Sequence, residues 1–158
     1  MAELLSKLQS ADRPDVIRDT VHLIDEEVSK KSGLSGAALK AGYKVVKKLQ
    51  SGRMINKAVD YLLDDFAQAL DPLYQEYLSD GETEGAGTKT FEGFLDTHQA
   101  RAADALLAIT DGRIGTAENR VVQKTYGKLR TQAHKHVCEA VSGVGRIIDT
   151  HVPKPTAA

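Results

Sequence analysis

Apolar residues recur every three or four positions along most of the chain, and this spacing is typical of amphipathic helices. The clearest run lies in 14–30, where the apolar positions are Val16, Ile17, Val21, Ile24 and Val28. Strict alternation of apolar and polar residues, the sign of a half-buried strand, is not a convincing feature of any segment. The pattern therefore predicts an all-α fold.

The helix over 14–30 has start and stop signals of its own. Asp12 is a suitable N-cap, because its carboxylate can accept a hydrogen bond from an unpaired N–H group of the first turn. Pro14 follows within that turn, where the N–H that proline lacks would have no helical partner. Gly33 marks the end of this helix.

The middle of the chain predicts two more helices and one loop. The second helix covers 35–50 and ends at Gly52, and the third begins near Met54. Pro72 predicts a kink or a break in the third helix, since proline removes a helical hydrogen bond and crowds the preceding turn. The polar, glycine-rich segment 79–90 predicts a mobile loop.

Three further helices are predicted in the last part of the chain, over 91–111 with Gly112 as its end, 116–129 and 131–151. Gly143 and Gly145 each weaken the last helix by roughly 1 kcal/mol relative to alanine, so tertiary packing must hold it. We expect a single bundle of five to six helices with short connections over 1–152. Residues 153–158 are expected to form a disordered tail.

Composition narrows the class of protein. Cys138 is the single cysteine, so a disulfide within the chain is excluded and a reducing compartment is favoured. The sequence carries no pattern of a signal peptide and no apolar run of the ~20 residues that a membrane span needs. These features predict a cytoplasmic protein. Aromatic residues make up only 5% of the chain, which argues against a base-stacking platform for single-stranded nucleic acid.

Charge is segregated along the chain although its sum is only −1. Residues 1–30 hold 4 basic and 7 acidic side chains, and 31–57 hold 7 basic and none acidic. Residues 58–111 hold 2 basic and 12 acidic side chains, and 112–158 hold 8 basic and 3 acidic. Such alternating blocks indicate electrostatic contacts between segments or with a partner.

The helix predicted over 35–50 is basic and amphipathic. At about 100° per residue, one side carries the apolar stripe Leu34, Ala38, Ala41, Val45 and Leu49, and Val46 widens this side. The neighbouring side carries Lys40, Lys44, Lys47 and Lys48. In one interpretation, the stripe packs into the bundle. The lysines then either lie in solvent or face acidic residues such as Asp60, Asp64 and Asp65.

The other interpretation is that these lysines bind an acidic protein, an anionic lipid surface or a nucleic acid. Four lysines near an anionic membrane contribute about 4 kcal/mol at most, and the aromatic anchors of interfacial helices are absent. The packed interpretation is therefore favoured for this helix. The candidate interaction surface comprises Lys40, Lys44, Lys47 and Lys48 together with Arg120, Lys124 and Lys128.

Catalytic and metal-binding motifs are not found in the sequence. The phosphate-loop pattern, the Glu-x-x-His pair of di-iron bundles and the nucleophile elbow are all missing. His134 and Cys138 lie four residues apart and can supply two metal ligands, whereas a stable zinc site needs three or four. We therefore predict no catalytic residue, no metal site and no cofactor.

The segments KSGLSGAALKAGYKVVKKL and YGKLRTQAHKHVCEAV, with the opening LLSKL, resemble an uncharacterised family of small helical bacterial proteins of actinobacterial type. The resemblance covers most of the chain. It implies a helical cytoplasmic domain of unknown function and transfers no functional residue.

The sequence thus predicts a non-catalytic cytoplasmic helical protein that acts through protein–protein interaction, with an unknown protein partner or a second copy of itself. The alternative is peripheral binding of anionic lipid or nucleic acid through the lysine-rich amphipathic helix.

Overall fold

The computed structural model describes residues 3–83 and 90–152, and these residues form seven α-helices without a strand. The helices are α1 (Glu3–Gln9), α2 (Arg13–Lys30), α3 (Gly33–Gly52), α4 (Met54–Thr83), α5 (Phe91–Asp96), α6 (Gln99–Ile114) and α7 (Arg120–His151). The all-α prediction is confirmed, with seven helices rather than five or six. No helix in the described ranges is long and apolar enough to cross a bilayer.

Helix α2 begins as its capping residues predict. The Asp12 carboxylate accepts a hydrogen bond from the Asp15 N–H at 3.2 Å. The short helix α1 was not predicted, because seven residues hold too few apolar positions for a period to be recognised. Its Leu4 and Leu8 are nevertheless buried, and the Leu4 N–H donates to Asp71 Oδ1 of α4 at 2.9 Å.

The predicted break at Pro72 is wrong, since α4 runs through it. The helical hydrogen bond that Pro72 cannot make would have ended on the Gln68 carbonyl. Both residues are exposed, so water can hydrogen-bond that carbonyl and the cost of the missing bond is reduced. The predicted loop is wrong over 79–83, where α4 continues, and 84–89 lie outside the described residues together with the predicted tail at 153–158.

The predicted helix over 91–111 is two helices, because local side-chain bonds interrupt it. The Thr97 hydroxyl donates to the Phe94 carbonyl at 2.9 Å, and His98 Nδ1 lies 2.8 Å from the same oxygen. Meanwhile the His98 N–H turns to Leu95 O instead of Phe94 O. Such bonds compete with the helical ladder and explain the turn between α5 and α6.

The two helices predicted over 116–129 and 131–151 are the single helix α7, which begins at Arg120 and not at 116. Asn119 caps it, with Oδ1 accepting from the Val121 and Val122 N–H groups at 2.9 and 3.3 Å. Gly143 and Gly145 are buried, and a Cβ atom at Gly145 would lie 2.6 Å from Glu92 Cα of α5. This close contact with α5 is in keeping with the prediction that tertiary packing holds the glycine-weakened segment, because a Cβ atom at 145 would not fit without a shift of α5.

The core lies between α1, α2, α4, α5, α6 and α7. Its largest fully buried side chains are Leu4, Val16, Leu70, Phe91, Leu95 and Val141. Aromatic rings add to it where α4 meets α5, with Tyr74 and Phe91 edge to face at 5.1 Å between centroids. By contrast, α3 contributes no apolar side chain to the fully buried set.

Candidate functional site

Helix α3 packs with a different side from the one that its apolar stripe predicts. Leu39, Gly42, Tyr43 and Val46 line a cavity shared with α7. The predicted stripe faces solvent instead: Leu34 is 94% exposed and Val45 is 49% exposed. Ala38 and Ala41 are exposed as well. The prediction that the apolar side packs into the bundle is therefore wrong for these four residues, whereas Val46 at its edge does pack toward α7.

Close backbone approach explains the packing side. A Cβ atom at Gly42 would lie 2.9 Å from Thr125 Cγ2 and 3.2 Å from Leu129 Cδ1 of α7. Beside this contact the Tyr43 hydroxyl donates to Asp25 Oδ1 of α2. Burial, reinforced by Asp25, raises the pKa of Tyr43 well above its usual range. A glycine and a tyrosine thus fix the orientation of α3, and neither contributes to an aliphatic pattern.

The exposed side of α3 combines apolar and cationic side chains, and we name it the α3 outer surface. It comprises Leu34, Ala38, Ala41, Val45, Lys40, Lys44 and Lys48. The remaining lysine of the helix, Lys47, is held by Asp25 Oδ1 at 3.1 Å. Within the described ranges, no carboxylate lies within ion-pair distance of Lys40, Lys44 or Lys48. These three charges are therefore available to a partner.

The acidic residues considered as neighbours of these lysines bind arginines instead. Arg13 contacts Asp60 Oδ1 at 2.7 Å and Asp64 Oδ1 at 2.9 Å. Arg113 Nη2 lies 2.6 Å from Asp65 Oδ2. The expectation that the α3 lysines face these carboxylates is wrong, because planar guanidinium groups from α2 and α6 occupy them.

Residues 4–152 match the model of a family of unknown function, DUF6918. The chain belongs to that family. This confirms the resemblance to an uncharacterised family that the two lysine-containing segments indicate. No curated protein and no solved structure matches the chain. For this DUF6918 member, the chemistry must therefore be argued from its own side chains.

The other predicted basic residues lie on a different helix from the α3 outer surface. Arg120, Lys124 and Lys128 are exposed on the first half of α7. The helical period puts them opposite Val122 and Leu129, which line the cavity under α3. They form a separate basic strip, which offers a matched control for experiments on α3.

His134 and Cys138 lie on one side of α7, as their spacing indicates, with Sγ 3.6 Å from Nδ1. Nε2 of the same histidine lies 3.0 Å from Asp104 Oδ1 of α6. Burial raises the pKa of the Cys138 thiol, which disfavours the metal-binding thiolate. In the described part of the chain, no three His, Cys, Asp or Glu side chains are grouped so as to hold a metal ion.

An apolar cavity of about 320 Å³ lies beside α3, and sequence reasoning missed its ionisable residues. Glu27, Lys31 and His136 line it among aliphatic side chains of α1, α2, α3, α4, α6 and α7. The sequence did contain one sign of this cavity, which is the position of Glu27 on its helix. Glu27 continues the apolar side of α2 through Val16 and Ile24, where a solvated carboxylate is not expected.

Proposed function

We propose that this DUF6918 member is a non-catalytic bacterial docking protein of the cytoplasm, and that the α3 outer surface binds an acidic amphipathic helix of a protein partner. One observation carries the proposal: an apolar stripe faces solvent directly beside three lysines that have no carboxylate partner in the described ranges. Cys138 is the single cysteine and cannot form a disulfide within the chain, which is in keeping with a reducing compartment.

The chemistry of the partner follows from the composition of this surface. Leu34 and Val45 supply apolar area, while the small side chains of Ala38 and Ala41 allow another helix to approach closely. The lysine flank favours Asp or Glu at the edge of the partner's apolar face. Recognition of an amphipathic helix through its apolar face is a recurrent mode of protein binding.

A second copy of this chain is a weaker candidate for the partner. The carboxylates of α4 that a second α3 would need are already engaged, Asp60 and Asp64 by Arg13 and Asp65 by Arg113. Binding them to lysines of another copy would break these contacts. A partner with carboxylates of its own avoids that cost.

The first experiment measures binding of a synthetic helical peptide with a Leu/Ala face and flanking glutamates by fluorescence anisotropy. We expect Lys44→Glu combined with Lys48→Glu to weaken binding by about tenfold or more, since two attractive pairs become repulsive. Leu34→Ser combined with Val45→Ser should weaken it similarly through lost apolar contact.

The matched control is Lys124→Glu combined with Lys128→Glu, which makes the same charge change on the α7 strip. We expect this control to retain the peptide affinity, and all variants to keep the melting temperature. Lys47 is left unchanged because its reversal would also repel Asp25. Equal losses from both charge reversals would reject α3 as the docking surface, since they would reflect only net charge.

Peripheral binding to an anionic membrane is the second candidate, and the exposure of Leu34 beside Lys40 and Lys44 favours it. Against it, the surface has no aromatic anchor, and each lysine contributes only ~1 kcal/mol near anionic lipid. Co-sedimentation with anionic and neutral vesicles separates the two. Anionic-specific binding that survives physiological salt would support the membrane in place of the acidic helix.

Nucleic acid binding through the same lysines stays a prediction. It requires a steep loss of affinity with salt, since each neutralised phosphate releases counterions. The apolar residues between the lysines have no role in phosphate contacts. A fluorescent duplex measured at two salt concentrations in the same anisotropy assay tests this alternative.

A further inference from the structure

We propose that the cavity beside α3 binds a neutral, mainly aliphatic small molecule that carries one hydroxyl group. The proposal is independent of docking at the α3 outer surface. The cavity measures about 320 Å³ and is lined on most sides by aliphatic side chains such as Leu23, Ile24, Leu63 and Ile147. This size falls in the range of small-molecule sites, roughly 300–1,000 Å³.

Such a volume is unusual for packing alone. Protein interiors are close-packed, and voids larger than a water molecule are few in a domain. An engineered apolar cavity of about 150 Å³ stays dry and binds benzene. A cavity about twice that size has room for roughly a dozen non-hydrogen atoms, which corresponds to a medium-length alkyl chain with a small head group.

We assign the polar end of this site to His136, whose ring must turn toward the cavity when a ligand binds. Both of its ring nitrogens are buried, and no group in the described part of the chain hydrogen-bonds to either. Buried polar atoms normally have such a partner. Burial lowers the pKa of His136, and the charge of Lys31 lowers it further, so the ring is neutral near pH 7 and offers one donor and one acceptor.

The other ionisable groups of the cavity already have partners of opposite charge. Lys31 Nζ lies 2.5 Å from Glu139 Oε2, and Glu27 Oε2 lies 2.5 Å from Lys30 Nζ. An anionic head group would bring an unbalanced charge into this apolar space, whereas a hydroxyl can donate to or accept from the imidazole. The charge balance therefore selects a neutral alcohol over a carboxylate.

A second cavity of about 340 Å³ lies between α3 and α7 and is also lined by His136. Leu39 and Val137 border both cavities. The imidazole ring therefore borders both cavities, and a longer alkyl chain has space beyond Leu39. Only Gly36 is buried among the α3 residues whose exposure is described, which favours local opening of this helix to admit a ligand.

The test uses 1-decanol, with decanoate as the charged probe of the same length. Displacement of the fluorescent apolar dye N-phenyl-1-naphthylamine reports their affinities for the full chain. We expect 1-decanol to displace the dye and to raise the melting temperature. Decanoate should bind at least about tenfold more weakly than 1-decanol. Equal or tighter binding of decanoate would overturn the neutral head group, and no binding of either probe would overturn the site.

Variants that fill the cavity locate the probe. Ala140→Leu and Ala67→Leu place a larger side chain in the lining, and Ala108→Leu makes the same change at an exposed position of α6. We expect the dye and 1-decanol to lose about tenfold or more in affinity for a filled variant that keeps the wild-type melting temperature, and to bind the α6 control normally. Undiminished binding to such a filled variant would overturn the proposal.

Two more variants assign the contacts. His136→Leu should weaken the binding of 1-decanol, because the imidazole can no longer hydrogen-bond the hydroxyl. Undiminished affinity of this variant for 1-decanol would reject the role of His136. Leu34→Ser combined with Val45→Ser should leave probe binding intact, whereas loss in this variant would move the probe to the α3 outer surface and overturn the cavity site.

Discussion

At the residue scale, two glycines inside α7, Gly127 and Gly145, have opposite structural roles. A Cβ atom at Gly145 would meet Glu92 Cα at 2.6 Å and Glu92 N at 2.8 Å, whereas one at Gly127 would meet nothing within 4 Å. The approach at Gly145 lets Asp149 accept hydrogen bonds from the Phe91 and Glu92 N–H groups, both at 3.0 Å. Alanine at 145 would push α5 away from this carboxylate.

We therefore expect Gly145→Ala to lower the free energy of unfolding by about 1–3 kcal/mol, the usual cost of overpacking. Gly127→Ala should raise it by up to about 1 kcal/mol, since alanine is the better helix former at an open position. Urea denaturation of both variants measures the two changes. If both variants are stabilised, helix propensity, and not the contact with α5, decides the effect at 145.

The second residue-scale prediction concerns acid stability and His136. Burial, assisted by the charge of Lys31, lowers the pKa of His136 below its ordinary value of 6.5. As the pH falls through 6.5, the unfolded chain therefore binds a proton that the folded chain resists, and stability is lost with falling pH. We expect the free energy of unfolding to decline from pH 7 to pH 5.

The comparison with His136→Leu isolates this effect, because the other four histidines remain. The decline should be smaller in the variant over the same pH interval. Urea denaturation at several pH values provides both curves. Parallel curves would mean that His136 takes up its proton equally well in the folded chain.

At the scale of elements, α3 buries little of its own surface, since Gly36 alone is buried among its residues whose exposure is described. Asp25 of α2 holds two of its side chains, the Tyr43 hydroxyl and the Lys47 ammonium. Its apolar contacts border cavities on the side that faces α7. Elements with few buried contacts open locally at lower free energy than the core.

We expect Asp25→Asn to increase hydrogen exchange at α3 amides several-fold, while amides of the C-terminal half of α7 keep their protection. Glu26→Gln is the matched control, since Glu26 pairs with His22 inside α2 and has no hydrogen bond or ion pair with α3 in the described ranges. Hydrogen exchange followed by mass spectrometry resolves the helices. If both variants change α3 equally, Asp25 is not the attachment.

At the scale of the whole molecule, arginines join the segregated charge blocks of the sequence. Arg13 of α2 bridges to Asp60 and Asp64 of α4, and Arg130 of α7 bridges to Asp111 of α6. Since these are mostly exposed pairs, each stabilises the fold only modestly. Their larger effect is that these carboxylates are paired with arginines, which leaves the lysines of α3 available to a partner.

We expect Arg13→Ala to lower the free energy of unfolding by about 1 kcal/mol at low salt and by less at high salt, because exposed ion pairs are screened. Arg120→Ala should change it by less than about 0.5 kcal/mol, since Arg120 has no ion pair within the described ranges. Denaturation at two salt concentrations tests both. A salt-independent loss at Arg13 would point to packing of its aliphatic stem instead.

Local information in the sequence was sufficient for much of the fold. The Asp12 cap of α2 and the helical period required only neighbouring residues, and the closely spaced glycines at 143 and 145 indicated a helix that depends on packing. The continuity of α4 through Pro72 was not predictable in this way. It depends on whether the carbonyl of Gln68 faces water, which is a property of the folded surface.

The sequence by itself determined that the chain is helical, where its basic helix lies and that acidic and basic segments alternate. The tertiary structure alone decided which side of α3 is buried, which carboxylates are taken by arginines and that His136 meets a cavity. The physical reason is that the period of apolar residues indicates which side of a helix a side chain lies on, but not which residue of another helix it contacts. At Gly42 the close approach of α7 outweighs the aliphatic stripe, and Leu34 and Val45 are left in solvent.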